Sequence, residues 1–184
     1  MSYLDKIRAC NRWDPADYLP LMYRDRRLGS LRPAFADELG RWPDQLTLSA
    51  AGVDWTGAPD DFAGRTEVLD AMVSALVDDG VITHRHGERY PLTPAGREAA
   101  VCLIDRAAAP YFGARAFGQH LNGYVRTPAG LELWVARRSA DRRNYPLRLD
   151  NLVGGGLPFD ISMRENLREN RGRGKTGDVP RYFR

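Results

Sequence analysis

Glu169 and its neighbour Arg168 are the residues of this chain whose type and placement point most directly to chemistry. Five residues separate Gly154 from Asp160, and seven more separate Asp160 from the Arg168-Glu169 pair. A glycine run, Gly154-Gly155-Gly156, heads that spacing. On a helix through Glu169, the positions three and four residues further on share its face and hold Gly172 and Arg173, so Glu169 is a single carboxylate beside a positive charge.

Other reactive side chains are scattered. His84 and His86 stand at i, i+2, a spacing that puts both on one strand face, but no third ligand accompanies them and solvated turn histidines are expected. Cys10 and Cys102 have neither metal-ligand nor redox spacing. Aromatic content of 10% and charged content of 28% over 184 residues are those of a globular protein with a real core. No apolar run reaches the ~18 residues of a membrane helix, and the N-terminus lacks a signal-peptide core, so a cytoplasmic protein is expected. The net charge of +3 is unevenly placed. From Met163 onward seven basic residues face three acidic ones, which leaves the preceding body at −1, with no net pull on a polyanion.

The elements that position these residues read as follows. An amphipathic helix over Ser2 to about Asn11 presents Leu4, Ile7 and Cys10 on one face. Strands are expected over Tyr18 to Tyr23 and Arg27 to Leu31, around a turn at Asp25-Arg26. A helix from Pro33 to about Trp42 is stopped by Pro43. Gln45 to Ser49 and Val53 to Thr56 form a further strand pair. The clearest helix runs from Thr66 to Asp79 on an apolar stripe of Val68, Leu69, Met72, Val73, Leu76 and Val77, with Gly80 as its C-terminal stop. Val81 to His84 and Arg89 to Leu92 are expected to pair across Gly87, and Thr93-Pro94 to open a short helix or turn. Strands follow at Cys102 to Arg106, His120 to Arg126, Leu131 to Arg137 and Leu147 to Val153, with a turn at Thr127-Pro128-Ala129-Gly130. Ser162 and Glu165 make a capping box for a helix through about Arg168.

Several stretches resemble a known family. They are Asp105-Arg106-Ala107-Ala108-Ala109-Pro110-Tyr111-Phe112-Gly113, then His120-Leu121-Asn122-Gly123-Tyr124-Val125, then Leu149-Asp150-Asn151-Leu152-Val153-Gly154-Gly155-Gly156, followed by the spacing through Glu169. These resemble the Nudix hydrolases that carry an N-terminal domain of unknown function, the group related to thiamine pyrophosphokinase-associated proteins. The opening Tyr3-Leu4, Ile7, Cys10 and Asn11 fits that extension.

The resemblance implies an α+β chain: an extension over residues 1–112, an incomplete Nudix α/β/α sandwich over 113–170, and a basic, disordered tail over 171–184. It implies Mg²⁺-dependent hydrolysis of a small diphosphate-linked molecule, thiamine-diphosphate-like or a nucleoside diphosphate derivative. Arg168 and Glu169 would be catalytic, Glu169 the remaining metal ligand, and Gly154, Gly155 and Gly156 the phosphate loop. With Gly172 and Arg173 in place of two metal-binding glutamates, this copy is expected to be inactive and truncated within the box. If Arg171 to Gly174 are encoded CGC-GGA-AGA-GGC, reading one base later gives Ala-Glu-Glu-Ala, so a frameshift accounts for the substitution.

The competing class is a winged-helix nucleic-acid module using residues 66–97 and the basic tail. Its weakness is electrostatic: the helix carries Glu67, Asp70, Asp78 and Asp79 with no cation after Arg65, and only Arg85, His86 and Arg89 compensate. Nucleic acid is therefore not the expected partner.

Overall fold

The computed structural model describes residues 2–11, 13–141, 145–172 and 177–183, with side chains described as far as residue 169. The chain is α+β and divides into two compact units, Met1–Arg115 and Ala116–Arg184.

In the first unit, helix α1 (Tyr3–Cys10) starts at Ser2, which shares a reciprocal capping box with Asp5. The Ser2 hydroxyl and N–H hold the Asp5 carboxyl below its usual range. The helix buries none of its residues: Leu4 and Ile7 are 60% and 58% exposed. Strands β1 (Leu19–Tyr23) and β2 (Arg26–Leu31) form a hairpin in which Tyr23 pairs with Arg26. The turn is Arg24-Asp25, one residue earlier than expected. Both have positive φ, 45° and 60°, the geometry whose twist suits a two-residue hairpin loop.

Helix α2 (Pro33–Leu39) ends three residues before Trp42, and Gln45 and Leu46 donate back to the Trp42 carbonyl in a turn. Strands β3 (Thr47–Ser49) and β4 (Gly52–Asp54) complete a sheet of order β2-β1-β4-β3, with β4 parallel to β1. Helix α3 (Phe62–Asp78) begins a turn earlier than Thr66, because the Asp61 carboxylate accepts from Gly64 N–H at 2.8 Å and caps it. Leu69, Met72, Val73 and Leu76 are buried, as the stripe predicts, and Gly80 follows the end at φ 74°.

The strand pair expected across Gly87 does not form. Arg89–Leu92 is a strand, β5, but its antiparallel partner is β6 (Cys102–Asp105). Residues 81–88 are pinned instead. Ile82 is fully buried and donates to the Leu76 carbonyl, and Arg85 reaches back to Asp70 and Ser74 on α3. The buried Asp105 carboxylate takes the N–H groups of His86 and Gly87, together with that of Ala107. Thr93 closes a tight turn rather than a helix: its hydroxyl accepts from Ala95 N–H and donates to Gly96 O.

A single apolar core joins the sheet, α2, α3, the β5–β6 ribbon and Phe112, whose ring meets Phe35 edge-on at 5.1 Å. Thr66 links α3 to β6, donating to Phe62 O and accepting from Leu103 N–H. Gly29 lies so close to the 112–113 backbone that an added Cβ would sit 2.0 Å from Phe112 O.

The second unit contains β7 (Gly118–Leu121), β8 (Gly123–Thr127), β9 (Gly130–Arg137), β10 (Leu149–Asn151), β11 (Val153–Gly156), α4 (Met163–Gly172) and β12 (Gly177–Phe183). Two strands read as continuous are each split, at Asn122 and at Leu152. The split lets the chain change partners: β7 pairs with β11, whereas β8 and β10 lie end to end along one edge of β9. β12 runs antiparallel along the other edge, with a register irregularity between Gly177 and Arg181 that accommodates Pro180. The described part of the tail, Gly177–Phe183, is this strand.

Candidate functional site

Gly154, Gly155 and Gly156 lie on β11, opposite His120, Gln119 and Gly118 of β7. The chain then passes through Leu157, which donates to Phe117 O, and enters α4 at Ser162. The expected capping box is present: Ser162 accepts from Glu165 N–H, and the Glu165 carboxylate accepts from both the hydroxyl and the N–H of Ser162. Those bonds hold the Glu165 carboxyl below its usual range. They also fill the helix N-terminus, so that end offers little to an external anion.

Asn166 joins the helix to the glycine strand. It is 5% exposed, and its amide nitrogen donates to Gln119 Oε1 at 2.7 Å and to Gly156 O at 3.1 Å. Gln119 in turn donates to Met163 O at 2.9 Å. Position 169 is one helical turn beyond Asn166, so Glu169 rises beside the side of α4 that meets β11; Arg168 and Glu169 are both exposed. The structure therefore brings Gly154–Gly156, Arg168 and Glu169 into one strand–turn–helix unit. Asp160 lies exposed in the intervening turn.

Beside β11 stand residues that sequence reasoning did not single out. Gly154 faces His120, and a Cβ there would come within 3.1 Å of His120 Nδ1. That nitrogen meets the Asn151 amide nitrogen at 2.5 Å. Asp150 accepts from Arg138 at 2.7 Å, which neutralises its charge. Beside Asn151 lies an open depression of about 470 Å³, with Asn122, Leu133, Val135 and Leu149 among its lining residues. These positions lie in the segments that carry the family resemblance, but nothing in their spacing marks them as convergent.

Magnesium does not fit the residues present. Glu169 is one carboxylate, its i+3 and i+4 positions are Gly172 and Arg173, and among the described residues no three metal-ligating side chains gather. The histidine pair does not converge: His84 Nδ1 meets Thr83 Oγ1, whereas His86 lies 3.9 Å from Glu88. Cys102 is buried, which pushes its thiol up to about 12 and leaves it inert. The winged-helix alternative over residues 66–97 loses its wing, because 81–84 is not a strand and Arg85 is spent on α3. Among the described residues no helix is long and apolar enough to cross a membrane.

Residues 2–116 match a domain of unknown function, DUF4743. Nudix hydrolase 24, chloroplastic, of Arabidopsis thaliana is 34% identical over 169 residues, covering 90% of this chain and 46% of its own length. Nudix hydrolase 20, chloroplastic, of the same plant is 32% identical over 180 residues, covering 90% of this chain and 47% of its own. An uncharacterized protein of Saccharomyces cerevisiae is 29% identical over 113 residues, 59% of this chain and 32% of that protein. The two plant matches extend well past residue 116. The chain spans about half the length of these two relatives.

Proposed function

This chain belongs to the DUF4743 family and its relatives include Nudix hydrolases; on that premise we propose that its second unit is a Nudix-type module for a small diphosphate-linked molecule. The ligand is thiamine-diphosphate-like or a nucleoside diphosphate derivative. The observation that carries the reading is the Gly154–Gly156 strand running into α4 with Arg168-Glu169, fastened by Asn166. The glycines carry no side chain, so a phosphoryl group can come close to the strand backbone. Arg168 supplies a cation that suits the same ligand.

Hydrolysis is the weaker half of that inheritance. A divalent cation, where a Nudix site holds one, polarises the diphosphate and orients the attacking water. The present donor set does not fit such an ion. This copy binds without turning over, and the tail after Glu169 or Asn170, with Gly172 and Arg173, is the product of a shifted reading frame. The nucleotide sequence across codons 170–174 tests the frame: codons that yield no glutamate pair in another frame refute it. Release of phosphate or of thiamine monophosphate from thiamine diphosphate by the purified chain with Mg²⁺ would overturn the inactivity.

A further inference from the structure

The exposed ring of His120 meets the side chain of Asn151. Asn151 presents its amide nitrogen to Nδ1 at 2.5 Å, and an amide nitrogen can only donate. With the amide nitrogen donating, Nδ1 is the acceptor and the neutral ring carries its proton on Nε2, directed away from Asn151. Gly154 is the residue opposite in the β7–β11 ladder, and its missing Cβ leaves room for the ring above the strand.

Asn151 has a second role. It pairs with Val135, and Leu149 pairs with Arg137 two residues along the same ribbon. Residues directly opposite in a ladder share a face, and so do alternate residues on one strand. Leu133, Val135, Leu149 and Asn151 thus line one side of the sheet, where Leu133 and Leu149 are about half exposed and bound the depression. An apolar floor edged by the amides of Asn122 and Asn151 suits a planar ring with polar atoms on its rim. The nearby Asp150 charge is balanced by Arg138, so it does not repel an anion beside His120.

We propose that His120 contacts the ligand: its Nε2–H donates to a phosphoryl oxygen, while the ligand's ring occupies the depression beside Asn151. This rests on the diphosphate-ligand reading and adds a residue and a ring subsite to it. Glutamine places an amide donor near the Nε2 position of histidine, whereas asparagine places one near Nδ1.

The test is calorimetric titration of thiamine diphosphate and of ADP into the native chain, His120→Gln and His120→Asn, with thiamine and adenosine as phosphate-free controls. The native chain binds at least one of the two diphosphates, His120→Gln stays within about twofold of it, and His120→Asn weakens it at least fivefold. Thiamine and adenosine show no such difference among the three proteins. Two-bond ¹H–¹⁵N spectra of the native histidines report the Nε2–H tautomer at His120. Equal diphosphate affinity in native and His120→Asn proteins overturns the contact and leaves the diphosphate reading standing. A native chain that binds neither diphosphate overturns both. An Nδ1–H tautomer overturns the contact on its own.

Discussion

The side-chain amides of Asn166 and Gln119 meet at 2.7 Å, where helix α4 crosses the glycine strand. One amide nitrogen on Asn166 serves both Gln119 and the Gly156 carbonyl, and Gln119 returns a bond to Met163 O. Helix and strand are locked by groups that each satisfy another.

Asn166→Ala leaves Gly156 O and the Gln119 oxygen without this donor in a buried setting. The expected cost is about 1–3 kcal/mol. Hydrogen exchange at 153–157 and 163–169 reads it directly, and both segments speed up together. Unchanged protection there would mean that α4 is held by something other than this pair.

Asp105 ties the 81–88 segment to β6. Burial by itself raises the carboxyl, but N–H groups of Gly87, His86 and Ala107 outweigh it, helped by Arg85, and hold the group below its usual range. A carboxyl depressed in the folded state stabilises fully above its unfolded value, about 3.9, and that stabilisation fades as pH falls through the folded value. Asp105→Ala is expected to cost about 3 kcal/mol near neutrality, since three N–H groups lose their acceptor. Urea titrations of native and variant chains at pH 7 and below pH 3 should show the gap narrowing in acid; a constant gap refutes the charge-based account.

How much of this was legible follows from where each signal resides. The α3 stripe and Gly80 could be read because helical periodicity is local, and the Ser162–Glu165 box because a cap is only three residues long. Val81-Ile82-Thr83 looks like a strand by composition, yet Ile82 is fully buried and bonds back to the helix just before it. The splits at Asn122 and Leu152 reflect a change of partner strand, which no single segment encodes. Asn166 was invisible for the same reason: an asparagine in a polar helix has no pattern, and Gln119 is 47 residues away.

The hairpin turn offers a stabilising change. Arg24 and Asp25 both sit at positive φ, where a side chain costs ~1 kcal/mol per residue. Asp25→Gly removes that cost and supplies the residue favoured at the second position of such a loop. Thermal unfolding should shift upward by a few degrees. A lower Tm would show that Asp25 makes a contribution the backbone argument omits.

Helices α1 and α3 make a paired test of what apolar periodicity means. Both have an apolar face, yet α1 buries nothing and α3 buries Leu76 completely. Ile7→Ser should leave stability within about 0.5 kcal/mol of native. Leu76→Ala should cost ~2–5 kcal/mol. A large loss at Ile7 would show that α1 is covered in solution.

Gly172→Glu with Arg173→Glu would place carboxylates at i+3 and i+4 from Glu169, a spacing that shares one face wherever the chain is helical. Three clustered carboxylates are relieved by a hard divalent ion, so the double variant should bind Mn²⁺, followed by its electron-spin signal, at concentrations where the native chain leaves the ion free. Adding Glu169→Gln to the double variant should abolish the gain, because it removes the one ligand already present. Native protein that sequesters Mn²⁺ as well as the double variant would show that the ion is held without residues 172 and 173, and the argument from the missing pair would fail.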